Sequence, residues 1–586
     1  MFYDDNTVKY FIGLFLILFW INYLFDYKIP KQYKKVNFIK PNYKRKDIDK
    51  DRYNKSKIPN DIDTIVIGSG IGGLSCAALL SKVGKKVLVL EQHYIAGGCM
   101  HVFEDKGVEH ETGIHYIGNI NKRQPILNII TETPIEWCKI GNKNKNIYDE
   151  IYIGNNQYCF RAGEDNFIND LVKKFPYEKE NIKKYLELVK KVAKEDLFFN
   201  LKIINNRFLS FILKLYLKYW KTDYLKYLNT TTYDVISNFT NNEELKAVLC
   251  GQFGDHGIPP KKSNFFIHSS IVYHYMDGGY FPKGGPSSIT KNIIPVIENS
   301  GGRVLVGKSV QEILIENNKA IGVEMENGDK IYSKNVISAV GVNTTFNKLV
   351  NHESSNYYQE LVKTIKSSTG FVYCFVNLDG TSEELELRDS NLWIYPDRDF
   401  DKLLENFEDD MLNSPMPLFI SSSSAKDSTW NKRYPNKSSV ILLTPAKKEY
   451  FERWESEVCM KRNLDYKDLK EALGKRMLNE LYKYYPKTKD KVYHYDVGTP
   501  LTNQHYLGVI NGEGYGLEST SERYSSFDLK PETKIKNLYL TGQDICTLGF
   551  TGALMGGVLT AHSVLGYGTI FDVIYDRNLI TDLCNF

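Results

Sequence analysis

Hydrophobic residues recur along this chain with three different spacings. Residues 10–25 form an almost unbroken apolar run, interrupted in its second half by Asn22. From Thr64 onward, short β-branched runs alternate with helical stretches. Residues 64–67 read as a buried parallel strand, 74–83 as a helix stopped by Gly84, and 86–90 as a second buried strand closed by Glu91. Further on, residues 310–315, 320–326 and 330–332 read as successive strands, with turns at Asn317-Asn318 and Asn327-Gly328. Gly284-Gly285 leads into a helix, 301–306 into a strand and turn, and apolar strands are expected at 335–340 and 537–540.

Between the first strand and its helix stand Gly68, Gly70 and Gly73, a G-x-G-x-x-G turn with Gly72 beside it. Gly68 permits the tight turn, Gly70 lets backbone approach a pyrophosphate, and Gly73 allows close helix–strand packing. The helix N-terminus adds free N–H groups and the positive end of a dipole. Glu91 lies 23 residues beyond Gly68, placed to accept both hydroxyls of an adenosine ribose. A carboxylate there disfavours a 2′-phosphate, so FAD or NAD is expected over NADP at this site.

The surroundings favour FAD. Gly97-Gly98 lies in a loop able to run beneath the pyrophosphate toward an isoalloxazine, and Gly542 with Asp544 follows a late strand, where a ribityl chain and distal phosphate need them. The segment around Val310 is suited to cover the adenine. Gly549, Gly552, Gly556 and Gly557 lie on a helix that either approaches the flavin or packs tightly on another helix, and both readings stand. The expected class is α/β: a Rossmann-like FAD-binding domain of the two-dinucleotide-binding type, assembled from three sequence blocks, with an α+β substrate domain.

At 586 residues the chain has room for two or three lobes. A net charge of +4 gives no global reason to expect nucleic acid. Nine scattered cysteines without a CxxC pair indicate neither a zinc site nor a disulfide framework, and fit a reducing compartment. The abundance of Tyr (41) and Phe (30) fits a lipophilic site or, more blandly, a skewed genome composition. As a helix the N-terminal run would extend ~24 Å against a hydrocarbon core of ~30 Å. A membrane anchor is preferred there over a cleaved signal peptide or a buried helix, because Asp4 and Asp5 oppose Lys9 and bulky residues occupy the cleavage position. Residues 28–60 carry twelve Lys and Arg against three Asp, which suits a solvated linker, attraction to anionic lipid and a cytosolic catalytic side. The chain is thus divided into an N-terminal anchor or signal (1–27), a basic linker (28–60), FAD-domain blocks at 61–160, 284–345 and 501–586 (the last including the C-terminal tail), and substrate-domain blocks at 161–283 and 346–500.

Residues 66–98 and the segment Glu111-Thr-Gly-Ile-His-Tyr-Ile-Gly118 resemble the phytoene desaturase and carotenoid isomerase superfamily of FAD oxidoreductases, most closely its retinol-saturating branch. Phe253-Gly-Asp-His-Gly257, Tyr273-His-Tyr-Met276, Tyr280-Phe-Pro-Lys-Gly-Gly285, Pro500-Leu-Thr-Asn-Gln504 and Thr541-Gly-Gln-Asp544 extend the likeness in the same order. Where flavin amine oxidases usually place Arg after the Gly-Gly pair, this chain has Cys99, as that branch does, which argues against amine oxidation. Met100 and His256 depart from the branch's commonest residues and leave the precise polyene open. The resemblance implies FAD-dependent saturation of one C=C bond, all-trans-retinol to 13,14-dihydroretinol, at the endoplasmic reticulum membrane. NAD or NADP are alternatives or electron donors, and the donor itself is unassigned. Desaturation or isomerisation of another polyene is the alternative, and a non-catalytic prenyl- or lipid-binding escort protein of the Rab type is the alternative of a different class. Proton donors are sought among His115, Tyr116, His256, His274, Tyr275 and Tyr280, with His115 and Tyr280 preferred because their motifs flank the glycine loops. Lys214, Lys218 and Lys221 share one helical face within 208–228, which suits either a helix in the headgroup region or a solvated stripe.

Overall fold

The computed structural model describes residues 47–141, 145–194 and 222–566, with a few isolated positions outside these spans. The apolar run at 10–25, most of the basic linker and all but the end of 208–228 therefore lie outside the described residues. Among the described residues, no helix is long and apolar enough to cross a membrane.

The cofactor sheet is built from five short strands: β1 (Thr64–Ile67), β2 (Val87–Leu90), β3 (Arg303–Leu305), β4 (Asn335–Ser338) and β5 (Leu538–Leu540). Their order in space is β3-β2-β1-β4-β5, and every pair is parallel. β1 and β2 are buried at every position, as strands covered on both faces must be. Three helices cover the sheet or its ends: α1 (Ile71–Lys82), α2 (Ser287–Asn299) and α3 (Gly549–Leu565). The antiparallel meander Val310–Glu316, Lys319–Met325 and Lys330–Tyr332 joins β3 to β4.

A seven-stranded sheet forms the second layer. Its strands run, in spatial order, Val492–Gly498, Gly370–Asp379, Lys437–Ala446, Leu418–Ser421, Asn391–Tyr395, Ile147–Ile153 and Asn156–Arg161. All neighbours are antiparallel except Asn391–Tyr395 with Ile147–Ile153, where Asn391 aligns with Asp149. The expected boundary at residue 160 is therefore displaced. Residues 147–161 belong to the substrate sheet, because the strand that joins Ile147–Ile153 to it lies 242 residues later (Asp149 to Asn391) and no local pattern names it.

The expected linker also ends early. Residues 51–53 run along the open edge of β3: Tyr53 N donates to Val306 O (2.8 Å), Val306 N donates to Asp51 O (2.9 Å), and Arg303 pairs with Asp51 at 2.6 Å. Asp49 is buried, and its carbonyl accepts from Ala96 N. This strap covers backbone groups that an edge strand would otherwise leave open.

Candidate active site

One cavity of about 1500 Å³ runs from the glycine turn after β1 to an aromatic chamber against the substrate sheet. At its first end, Gly70 caps α1 without any side-chain hydrogen bond, so the helix start keeps its amides for a ligand. Gly68, Gly70 and Gly72 line the cavity, and a Cβ on Gly70 would project into open space. Gly73 lies behind, where a Cβ would sit 2.3 Å from the Gly68 carbonyl oxygen, so its lack of a side chain serves packing. Gly72 has a structural reason as well: a Cβ there would come within 2.6 Å of the Gly542 Cα. Gly556 and Gly557 hold α3 against the same region, one close to the Gly542 carbonyl and the other close to Ser75, while Gly549 lines the cavity. Both readings of that glycine-rich helix thus have a counterpart.

Glu91 is buried at the end of β2 and lines the cavity. Its Oε2 accepts from Ser69 N (2.9 Å) and Ser69 Oγ (2.6 Å), and its Oε1 accepts from His93 N (2.9 Å). A carboxylate offers about four acceptor positions, which leaves Oε1 capacity for a ribose hydroxyl. Ser69 Oγ also accepts from Gly97 N (2.9 Å), so a residue that the sequence motif treats as variable fixes the acid and the Gly97-Gly98 loop together. A Cβ on Gly98 would fall 2.9 Å from the Gly70 Cα, which shows how closely that loop approaches the first turn. Val310 and Gly542 complete the lining. Asp544 lines it too, and its carboxylate accepts from Val342 N and Leu517 N, both at 2.9 Å, tying two separate wall segments to the turn after β5. These features fit an FAD diphosphate and ribose: an uncapped helix start, a cradle without side chains, and a carboxylate at the second strand end.

The far end of the cavity is walled by Phe266, Ile267, Ile271, Tyr275, Phe371, Tyr373, Leu443 and Tyr515. His115 and Tyr116 reach it from the loop after the hairpin strand Val108–Glu111. His115 Nδ1 lies 3.5 Å from Glu111 Oε1, and the His115 carbonyl accepts from Lys426 Nζ (2.9 Å). Tyr116 stacks on Tyr275 with centroids 4.3 Å apart. Tyr280, the other preferred proton donor, does not line the cavity. It sits in the strand Gly279–Pro282, paired with Ile117 and Lys139, and its ring packs on the core of the cofactor domain. Proximity in sequence to Gly284-Gly285 misplaced it, since side chains alternate between the two faces of a strand.

The buried histidines are poor acids. Burial pushes His256 and His274 down to about 3, so both are neutral near pH 7. His274 Nε2 accepts from Gly118 N (2.9 Å), and His256, which does not line the cavity, accepts from Ile258 N (3.3 Å). Cys99 faces the cavity and is exposed to it, but the protein packed around it shields it from bulk water and pushes its thiol up to about 11. It is a neutral wall group, not a thiolate. Sequence reasoning passed over Asp255, which lines the chamber, and Asp149 behind it. Asp255 sits in the quoted Phe253–Gly257 segment, so its motif was visible but its neighbours were not. Among the described residues, no group of three or more metal-ligating side chains occurs.

Residues 71–565 match the family described as flavin containing amine oxidoreductase. The chain belongs to that family. Among curated relatives, the all-trans-retinol 13,14-reductase of Danio rerio is 39% identical over 532 residues, 87% of each chain, and that of Homo sapiens is 35% identical over 559 residues, covering 92% of this chain and 90% of the relative. A solved oxidoreductase from Methanosarcina mazei has the same fold, with a TM-score of 0.56 at 18% identity, covering 86% of this chain and 100% of that one. As a member of the flavin-containing amine oxidoreductases and of their retinol-reductase branch, the chain is an oxidoreductase with FAD as cofactor. Cys99 in the cavity wall distinguishes its lining from the Arg expected of an amine oxidase.

Proposed function

We propose that this protein saturates one C=C bond of a retinoid, converting all-trans-retinol to 13,14-dihydroretinol. The observation that carries the reading is continuity: the dinucleotide cradle and an apolar, aromatic chamber are two ends of one cavity. FAD, when bound and reduced, supplies a hydride equivalent. The chain's own residues do the rest. Glu91 and the α1 start hold the adenosine and diphosphate, and Gly97-Gly98 keeps its backbone against the first turn. Phe266, Ile267, Ile271 and Tyr275 line the chamber with surface suited to a polyene and keep water from it. Tyr116 and Asp255 bring a hydrogen-bonded hydroxyl and carboxyl group to the wall of the same chamber.

The residue run 10–25 and the cations after it support anchoring at the endoplasmic reticulum membrane with the catalytic part on the cytosolic side, where a bilayer-dissolved substrate is at hand. Electrons enter from a donor outside the chain, with NADH and NADPH the first to try. The test uses the purified full-length holoprotein, anaerobically, with NADH, NADPH or dithionite as reductant, and a panel of all-trans-retinol, its isomers and linear carotenes. The expected product is retinol heavier by two hydrogens, with carotenes unchanged. Isomerised or desaturated carotene with untouched retinol would replace this reading, and a protein that purifies without yellow colour and rejects FAD would remove it.

A further inference from the structure

At the chamber wall, two carboxyl groups share one hydroxyl. Tyr116 Oη lies 3.0 Å from Asp255 Oδ2 and 3.1 Å from Asp149 Oδ2. Asp149 has other donors: Asn391 Nδ2 reaches its Oδ1 (3.0 Å) and Gln252 Nε2 reaches its Oδ2 (3.1 Å). Asp255 has Tyr116 as its only hydrogen-bonding side chain among the described residues, and it lines the cavity, whereas Asp149 does not. A tyrosine hydroxyl carries one proton and cannot donate to both acids at once. Three donors mark Asp149 as the ionised member. The second contact then needs a proton of its own, carried by Asp255 and donated to the Tyr116 oxygen.

We propose that Asp255 is the acid that protonates the alkene in the reaction above, with Tyr116 and Asp149 positioning and holding its proton. The inference rests on that functional reading. With FAD bound and reduced, the flavin would supply the hydride equivalent that goes to one alkene carbon. The π pair takes the Asp255 proton at the neighbouring carbon, leaving a carboxylate, and water restores the proton after product leaves. Burial, and then the Asp149 charge, hold Asp255 well above the usual carboxylate range. Burial raises Asp149 to about 6 against the hydrogen bonds from Asn391, Gln252 and Tyr116. Tyr116, Tyr148, Tyr275, Tyr395 and Tyr515 face this pair as neutral phenols, and the Lys426 ammonium bears on Asp149. The two acids titrate as a coupled pair holding one proton at neutral pH.

The acid works only while protonated, so single-turnover saturation of retinol by the reduced holoprotein is full at neutral pH and falls as pH rises through the raised pKa of the pair. Asp255→Asn should retain FAD and lower the rate by about 10²–10⁴-fold. Asp149→Asn removes the neighbouring charge and should move the falling limb to lower pH by a unit or more. A second readout needs no turnover: infrared spectra of wild-type holoprotein at pH 7 should hold a protonated-carboxyl band that shifts in D₂O and is missing from Asp255→Asn. An Asp255→Asn rate within threefold of wild type, an unmoved limb in Asp149→Asn, or identical carboxyl bands in wild type and Asp255→Asn would each overturn the assignment. Should Asp255→Asn not fold, the limb of Asp149→Asn decides. A wild-type protein that leaves retinol intact contradicts the functional reading instead, and the infrared comparison still judges the acid.

Discussion

Glu91 shows how one side chain can serve the fold and the ligand together. Three donors from Ser69 and His93 hold its carboxylate at the end of β2, and the orientation they impose leaves it open to the cavity. A ribose hydroxyl donating to this side chain makes a hydrogen bond to a charged-type acceptor, with a contribution of about 1.5–3 kcal/mol. Glu91→Ala should therefore weaken FAD binding by roughly 10–100-fold, read from flavin fluorescence on titration of the apoprotein. Unchanged affinity would show that the adenosine lies elsewhere. The position of Glu91 was legible because it depends only on the strand–turn–helix–strand spacing. Ser69 was not, because its role is defined by two partners, Glu91 and Gly97, that lie 22 and 28 residues away.

Among elements, the parallel sheet is held together by turns as much as by strands. Asp544 follows β5, and its two oxygens take the N–H groups of Val342, after β4, and Leu517, from a different stretch of wall. Asp544→Ala leaves two buried amides without their acceptor, each costing about 1–3 kcal/mol. The expected outcome is a lower melting temperature and loss of much of the bound FAD, with circular dichroism retained at low temperature. A melting curve that superimposes on wild type would contradict the clamp. The cofactor strands and helices could be read from sequence because each is short, apolar and bounded by glycine, and the meander at 310–332 because its turns are local. The partnership of Ile147–Ile153 with Asn391–Tyr395 could not, since register between strands so distant is decided by tertiary packing. Tyr280 failed for the same reason: its face depends on the sheet it joins, with Ile117 on one side and Lys139 on the other. The acid pair and the Tyr116 between them likewise come from three separated segments; Tyr116 and Asp255 lie in motifs the sequence singled out, whereas Asp149 does not.

For the whole molecule, the sequence proposed as a tether precedes the catalytic body in the chain. Among the described residues, Asp49 and residues 51–53 pack on the cofactor domain, and they lie later in the sequence than the apolar run at 10–25. Removal of residues 1–27 should leave flavin content unchanged while releasing the protein from a carbonate-washed membrane fraction, measured by sedimentation and absorbance. Retention on the membrane would place the attachment elsewhere. The account as a whole depends on one event, the passage of two electrons from bound flavin to a retinoid in the same cavity. Rapid anaerobic mixing of the fully reduced holoprotein with one equivalent of all-trans-retinol tests it most directly. The oxidised-flavin absorbance should return in step with loss of the retinol polyene band, one flavin for each dihydroretinol formed, whereas flavin that stays reduced beside intact retinol would contradict the account.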